Sequence, residues 1–125
     1  SNTTNCINHP NKIHLIPYAV SLCAGAIALY LACFDGHKTV YMLGYDNQDG
    51  ESNNNVYAGT DNYAKSDHKV SSKKWEGQIK RIIDTYDDVD FIWVAGGTSR
   101  FPEDWKYCVN LRQVTVRDFV LEVDL

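Results

Sequence analysis

The sequence lacks the features that assign a protein quickly. It has no C-x-x-C pair, and its four cysteines, Cys6, Cys23, Cys33 and Cys108, do not fall at zinc-ligand spacing with its four histidines. Neither G-x-x-x-x-G-K-[ST] nor G-x-G-x-x-G occurs, so the two common phosphate-binding loops are excluded. No Ser/His/Asp set can be argued from spacing. There is no excess of cations: twelve Lys and Arg stand against sixteen Asp and Glu, a net charge of −4. That removes the bulk electrostatic case for nucleic acid or an anionic membrane. The longest apolar run, Val20 to Phe34, is 15 residues, short of the roughly 20 that cross a bilayer. No basic-then-apolar leader is visible, and Cys23 and Cys33 read as small core hydrophobes rather than as disulfide partners. The expectation is a cytoplasmic protein that binds neither nucleic acid nor membrane. Internal repeats and low-complexity tracts are absent as well.

What remains is an ordinary globular composition, 44% hydrophobic and 22% charged over 125 residues, enough for one domain with its own core. Residues 1–11 are polar and expected to be flexible; 12–125 form the domain. Lys12 to Ile16 is a strand candidate stopped by Pro17. Val20 to Asp35 is apolar on nearly all sides and ends at Gly36, which predicts a helix covered all round. Its small residues Ser21, Gly25, Ala28 and Ala32 would let it sit close on a sheet. Thr39 to Leu43 is a strand closed by Gly44-Tyr45-Asp46, and a long polar loop over 46–70 follows. Trp75, Ile79, Ile82, Ile83 and Tyr86 recur at steps of three and four, the buried stripe of a helix that Ser71 or Ser72 can cap. Asp90 to Ala95 is a strand apolar enough to be buried on both faces, and Tyr107 to Val114 is a fourth. Thr115 with Asp118 is a T-x-x-D capping box for a last helix. Strands alternating with helices predict an α/β fold, a small Rossmann-like three-layer sandwich with a mostly parallel sheet.

In such sheets ligands lie beyond the carboxyl ends of the strands. The segments placed there are the start of the first long helix at Ser21, the Gly44-Tyr45-Asp46 turn, the long loop, and Gly96-Gly97-Thr98-Ser99-Arg100. The last could form an anion nest with Arg100 beside it. The same residues also serve plainer ends: Ser21 as a helix cap, Asp46 as an Asx-turn, Gly96 to Arg100 as a turn. A metal held by Asp46, Asp49 and Glu51 is the weakest of the chemical readings, since acids in an Asn-rich loop are usually solvated.

The stretch SLCAGAIALYLACFDGHKTVYMLGYD resembles a segment of the sialyltransferase-like glycosyltransferases and of the related DUF115-like proteins. Their pattern is a Ser-Gly helix start, an alanine-rich helix, Gly-x-K, and then a strand reading I/V-Y-L-x-G-x-D. Phage-encoded proteins of marine bacteria are similar through NNNVYAGTDNYAKS. The resemblance covers about residues 17 to 95. It implies a nucleotide or nucleotide-sugar ligand near Ser21, Tyr57, Thr60 and Tyr63, with Asp46 or His68 as catalytic base; Gly44, Gly96, Gly97 and Thr98 join the candidate site from the strand-end reading above. The histidine of the family's loop motif is replaced here by Thr60. The reading is therefore a nucleotide- or nucleotide-sugar-binding domain, a reduced glycosyltransferase-like protein. The alternative is a non-enzymatic, self-associating module, most simply a homodimer, in which the Tyr-rich loop and Trp105 form the subunit interface.

Overall fold

A computed structural model of the chain describes residues 2–16, 22–45, 72–96 and 99–124. In chain order its elements are α1 (Asn2–Asn8), α2 (Ala24–Phe34), β1 (Thr39–Leu43), α3 (Ser72–Thr85), β2 (Asp90–Val94), a 3₁₀ helix (Glu103–Tyr107), β3 (Leu111–Val114) and α4 (Val116–Glu122). The strands form a sheet in the order β1-β2-β3, with both pairings parallel. The small α/β architecture expected from the alternation of elements is what the chain adopts.

Register decides which side chains share a face. Val40 lies opposite Phe91 and Met42 opposite Trp93, so these four point the same way. Against them pack α2, through Ala26, Leu29 and Cys33, and α3, through Ile79, Ile82 and Ile83; all of these are buried. The 3₁₀ helix adds Trp105 to the same side. On the opposite face Tyr41, Ile92 and Arg112 form one row across the sheet. There α4 lies across them: Phe119 meets the Tyr41 ring edge-on at 5.2 Å, and Glu122 pairs with Arg112. A parallel strand between two such layers must be apolar on both faces, which is why β2 reads DFIWV and buries everything after Asp90.

Local signals act as their chemistry requires. Thr115 caps α4 by accepting from the Asp118 N–H at 3.1 Å. α2 ends in a Schellman motif, with the Gly36 N–H donating to Cys33 O at 3.0 Å and the His37 N–H to Ala32 O at 3.3 Å.

Four expectations are corrected. Lys12 to Ile16 is not a strand; its last three residues carry no regular structure, and Ile13 and Leu15 are exposed. Without a neighbour to bury it, its alternation has nothing to align to. Asn2–Asn8 is a short helix where no element was expected. Tyr107 to Asn110 belongs to the 3₁₀ helix and a turn, and the strand begins only at Leu111.

The fourth correction concerns α2, which is buried on one face and open on the other. Ala24, Ala28, Leu31 and Phe34 are exposed, Phe34 to 71%. The small residue Ala28 therefore does not face the sheet. Ala28→Glu is expected to leave the fold intact and to change stability by no more than about 0.5 kcal/mol, as at other surface positions. Urea unfolding checks this, and loss of the cooperative transition would contradict it.

Candidate functional site

The first two turns of α3 are where the carboxyl edge of the sheet is assembled. Trp75, Glu76 and Gln78 each reach a different segment. The Trp75 ring lies 5.9 Å from that of Tyr45, which follows the end of β1, and 5.9 Å from that of Trp105, tilted to both. Gln78 accepts from the Cys23 N–H at 2.8 Å, which fixes the start of α2 beside α3. Glu76 accepts the Trp105 indole N–H on its backbone oxygen at 3.1 Å, and its carboxylate pairs with Arg100 at 3.7 Å. The ends of β1 and β2 and the beginnings of α2 and α3 thus meet on one edge, where a parallel sheet receives ligands.

Tyr45 joins the first of these segments. Its hydroxyl donates to Gly25 O at 2.8 Å, in the first turn of α2. Burial raises the Tyr45 phenol above its ordinary range, with nearby Cys23 adding to the shift. The ring remains a neutral donor at physiological pH. Gly25 makes the approach possible: a Cβ there would lie 3.0 Å from the ring carbon Cε1 of Tyr45 and 3.5 Å from the Trp75 indole nitrogen. Any larger residue at 25 would displace Tyr45 from the helix.

Behind this edge stands a packed aromatic group. Trp105 meets Trp93 edge-on at 5.4 Å and Phe101 at 6.3 Å, and Trp93 lies 5.6 Å from Phe101. Trp105 is fully buried, so it is not available to a subunit interface. The Trp93 indole nitrogen is buried with no hydrogen-bond partner. Beyond β2 the Ser99 N–H donates to Gly96 O at 3.0 Å, and Arg100 lies against α3 through Glu76.

Among the residues expected at the site, Gly44 stands exposed at the end of β1 and Gly96 at the end of β2, on the expected edge. Ser21, Asp46, Tyr57, Thr60, Tyr63, His68, Gly97 and Thr98 lie outside the described residues, as do Asp49 and Glu51. Sequence reasoning missed Glu76. In KKWEGQIK it reads as part of a solvated face, yet only 7% of it is exposed. Its one sequence signal is position, three residues before Ile79 and seven before Ile83, on their stripe.

Both buried thiols are held toward the protonated form. Burial, with Asp88 adding, pushes the Cys33 thiol up to about 11. Burial and the Asp84 carboxylate raise Cys108 as well. Among the described residues no group of three or more His, Cys, Asp or Glu could hold a metal ion, and no helix is long and apolar enough to cross a membrane. No protein-family model, curated protein or solved structure matches the chain.

Proposed function

We propose that this chain binds a nucleotide or nucleotide-sugar at the carboxyl edge of its sheet. The observation that supports the reading best is the convergence there of the α2 start, the ends of β1 and β2, the first turns of α3 and Arg100. A buried carboxylate, a guanidinium and a tyrosine hydroxyl lie among apolar rings, the mixture of apolar wall and few polar groups that small-ligand sites use. The activity proposed is glycosyl transfer, on the resemblance of residues 17 to 95 to the sialyltransferase-like enzymes, with Asp46 or His68 as base.

A panel of nucleotides and nucleotide-sugars scored by thermal shift tests this. A ligand at 100 times its dissociation constant stabilises by about 2.7 kcal/mol, on the order of 10 °C for a domain of this size. If no member of the panel shifts the melting temperature at millimolar concentration, the reading is lost.

A second reading has its own observation. The outer face of α2 carries no charged side chain from Ala24 to Phe34, and it exposes Leu31, Phe34 and two alanines. Self-association through that face, most simply as a dimer, would cover it. Light scattering at high micromolar concentration decides: a monomer there removes this reading and leaves the ligand reading untouched.

A further inference from the structure

Trp93 carries a buried donor that the fold leaves unused. Its ring is fully inaccessible, yet its indole N–H finds no acceptor among the described residues. Buried Trp N–H groups usually find one, and a buried donor left unmet costs folding free energy. Trp105, buried to the same extent in the same aromatic group, gives its N–H to the Glu76 backbone oxygen. Packing alone therefore does not account for an indole at position 93. A phenylalanine would bring an apolar ring and no unmet donor.

The sheet sets where this donor lies. Trp93 faces the α2–α3 layer beside Met42, one residue before the end of β2. The next side chain on that face is Ala95, buried and only a methyl. Trp93 is thus the last large side chain of the central strand before the carboxyl edge. Its ring neighbours come from beyond the strand, Phe101 at 5.6 Å and Trp105 at 5.4 Å. Trp105 continues to Trp75, and Trp75 to Tyr45. Phe101, Trp75 and Tyr45 are each partly exposed. The aromatic group therefore runs from a buried N–H to three rings that reach solvent, two of them where α2 and α3 begin.

Two properties define what such a group takes. Aromatic faces stack on planar heterocycles. A neutral N–H enclosed by apolar rings suits a neutral acceptor, because a charged one would lose its hydration there. A nucleobase supplies both, a flat ring with carbonyl or ring-nitrogen acceptors at its rim. A phosphate is charged and has no face to stack.

We infer that the base of the nucleotide packs into this aromatic group and accepts a hydrogen bond from the Trp93 indole N–H, an assignment that rests on the nucleotide reading above. Entry requires a neighbouring ring to give way. Phe101, the partly exposed ring against Trp93, is placed to do so, and side-chain rotamer changes of this kind are common on binding.

The full chain labelled with nitrogen-15 has three indole N–H resonances, one for each tryptophan. Replacing the tryptophans in turn with phenylalanine assigns them, any two replacements sufficing. Titration with the four common ribonucleosides and their 5′-monophosphates is expected to move the Trp93 resonance downfield for each base that binds. Calorimetry of Trp93→Phe is expected to show that nucleoside and monophosphate are weakened alike, about tenfold. A Trp93 resonance unmoved by saturating nucleoside overturns the inference and leaves the nucleotide reading standing. That observation is made on the native chain and holds whether or not the variant folds. An exchange cross-peak from the Trp93 indole proton to a bound water, persisting at saturation, overturns it too. So does a folded Trp93→Phe that binds as tightly as the native chain, or one that loses affinity for the monophosphate alone. Failure of the native chain to bind nucleoside and monophosphate alike removes both readings.

Discussion

Trp105→Ala is expected to cost about 3–5 kcal/mol, the range for deleting a large buried aromatic. Trp105 is fully inaccessible and touches three other rings, Trp75, Trp93 and Phe101. Removing it leaves a void between α3 and the sheet that neighbouring rings cannot fill without leaving their rotamers. The indole N–H also satisfies the Glu76 backbone oxygen, so its loss adds a polar term to the cavity. Since domains are stable by only about 5–15 kcal/mol, the variant should be largely unfolded near 37 °C. Trp105→Phe separates the two contributions, keeping most of the ring contacts and losing the hydrogen bond, for about 1–2 kcal/mol. Trp93→Phe is the control. The Trp93 indole nitrogen has no partner to lose, so its replacement should cost less than Trp105→Phe despite equal burial. Urea denaturation of the three variants measures this, and a Trp105→Ala cost under 1 kcal/mol would contradict the packing argument.

The elements that could be read from the sequence are those whose signal is local. Ile79, Ile82 and Ile83 announce the inner face of α3 because their spacing matches the helix period. DFIWV announces a central parallel strand because such a strand must be apolar on both faces. Thr115 and Asp118 announce the start of α4 because the cap is made within four residues. What the sequence concealed depends on what lies opposite. Ala28 belongs to a helix apolar all round, and only the arrangement of the sheet decides that its face is open. Lys12 to Ile16 alternates like a strand, but a strand needs a partner, and the described sheet ends at β1. Glu76 reads as a surface acid until Arg100 and Trp105 are placed against it. The carboxyl edge was legible as a location, because strand ends and helix starts follow from element order. The pairing of Glu76 with Arg100 was not, because they lie 24 positions apart with a whole strand between them.

Asn110 shows the same limit and carries the second large effect. In the sequence it lies within YCVNLRQV and passes for a strand residue. In the structure its side-chain amide donates to Ile83 O at 3.1 Å, Tyr86 O at 3.1 Å and Val89 O at 3.0 Å. Ile83 O is among the last carbonyls of α3, which have no partner inside the helix. Tyr86 O belongs to the turn and Val89 O to the approach to β2, so one amide ties the α3 end to the start of the central strand. Its own backbone oxygen accepts from the Phe91 N–H at 2.8 Å, which anchors it to the sheet. Two amide hydrogens serve three acceptors, so one is shared. Asn110→Ala leaves these carbonyls without their common donor and should cost about 2–3 kcal/mol. Asn110→Asp should cost more at neutral pH, because a carboxylate has no proton to donate and faces three carbonyl oxygens. That cost has a definite pH dependence. The folded state resists the charged form, so the folded pKa of the introduced acid lies above its unfolded value of about 3.9. The proton is then held more tightly in the folded state. The variant should therefore gain stability as the pH falls through the folded pKa, relative to Asn110→Ala, and lose it as the pH rises. Chemical denaturation of both variants between pH 4 and 8 provides the measurement. A difference between them that does not change over that range would show that the amide is not the donor the three carbonyls depend on.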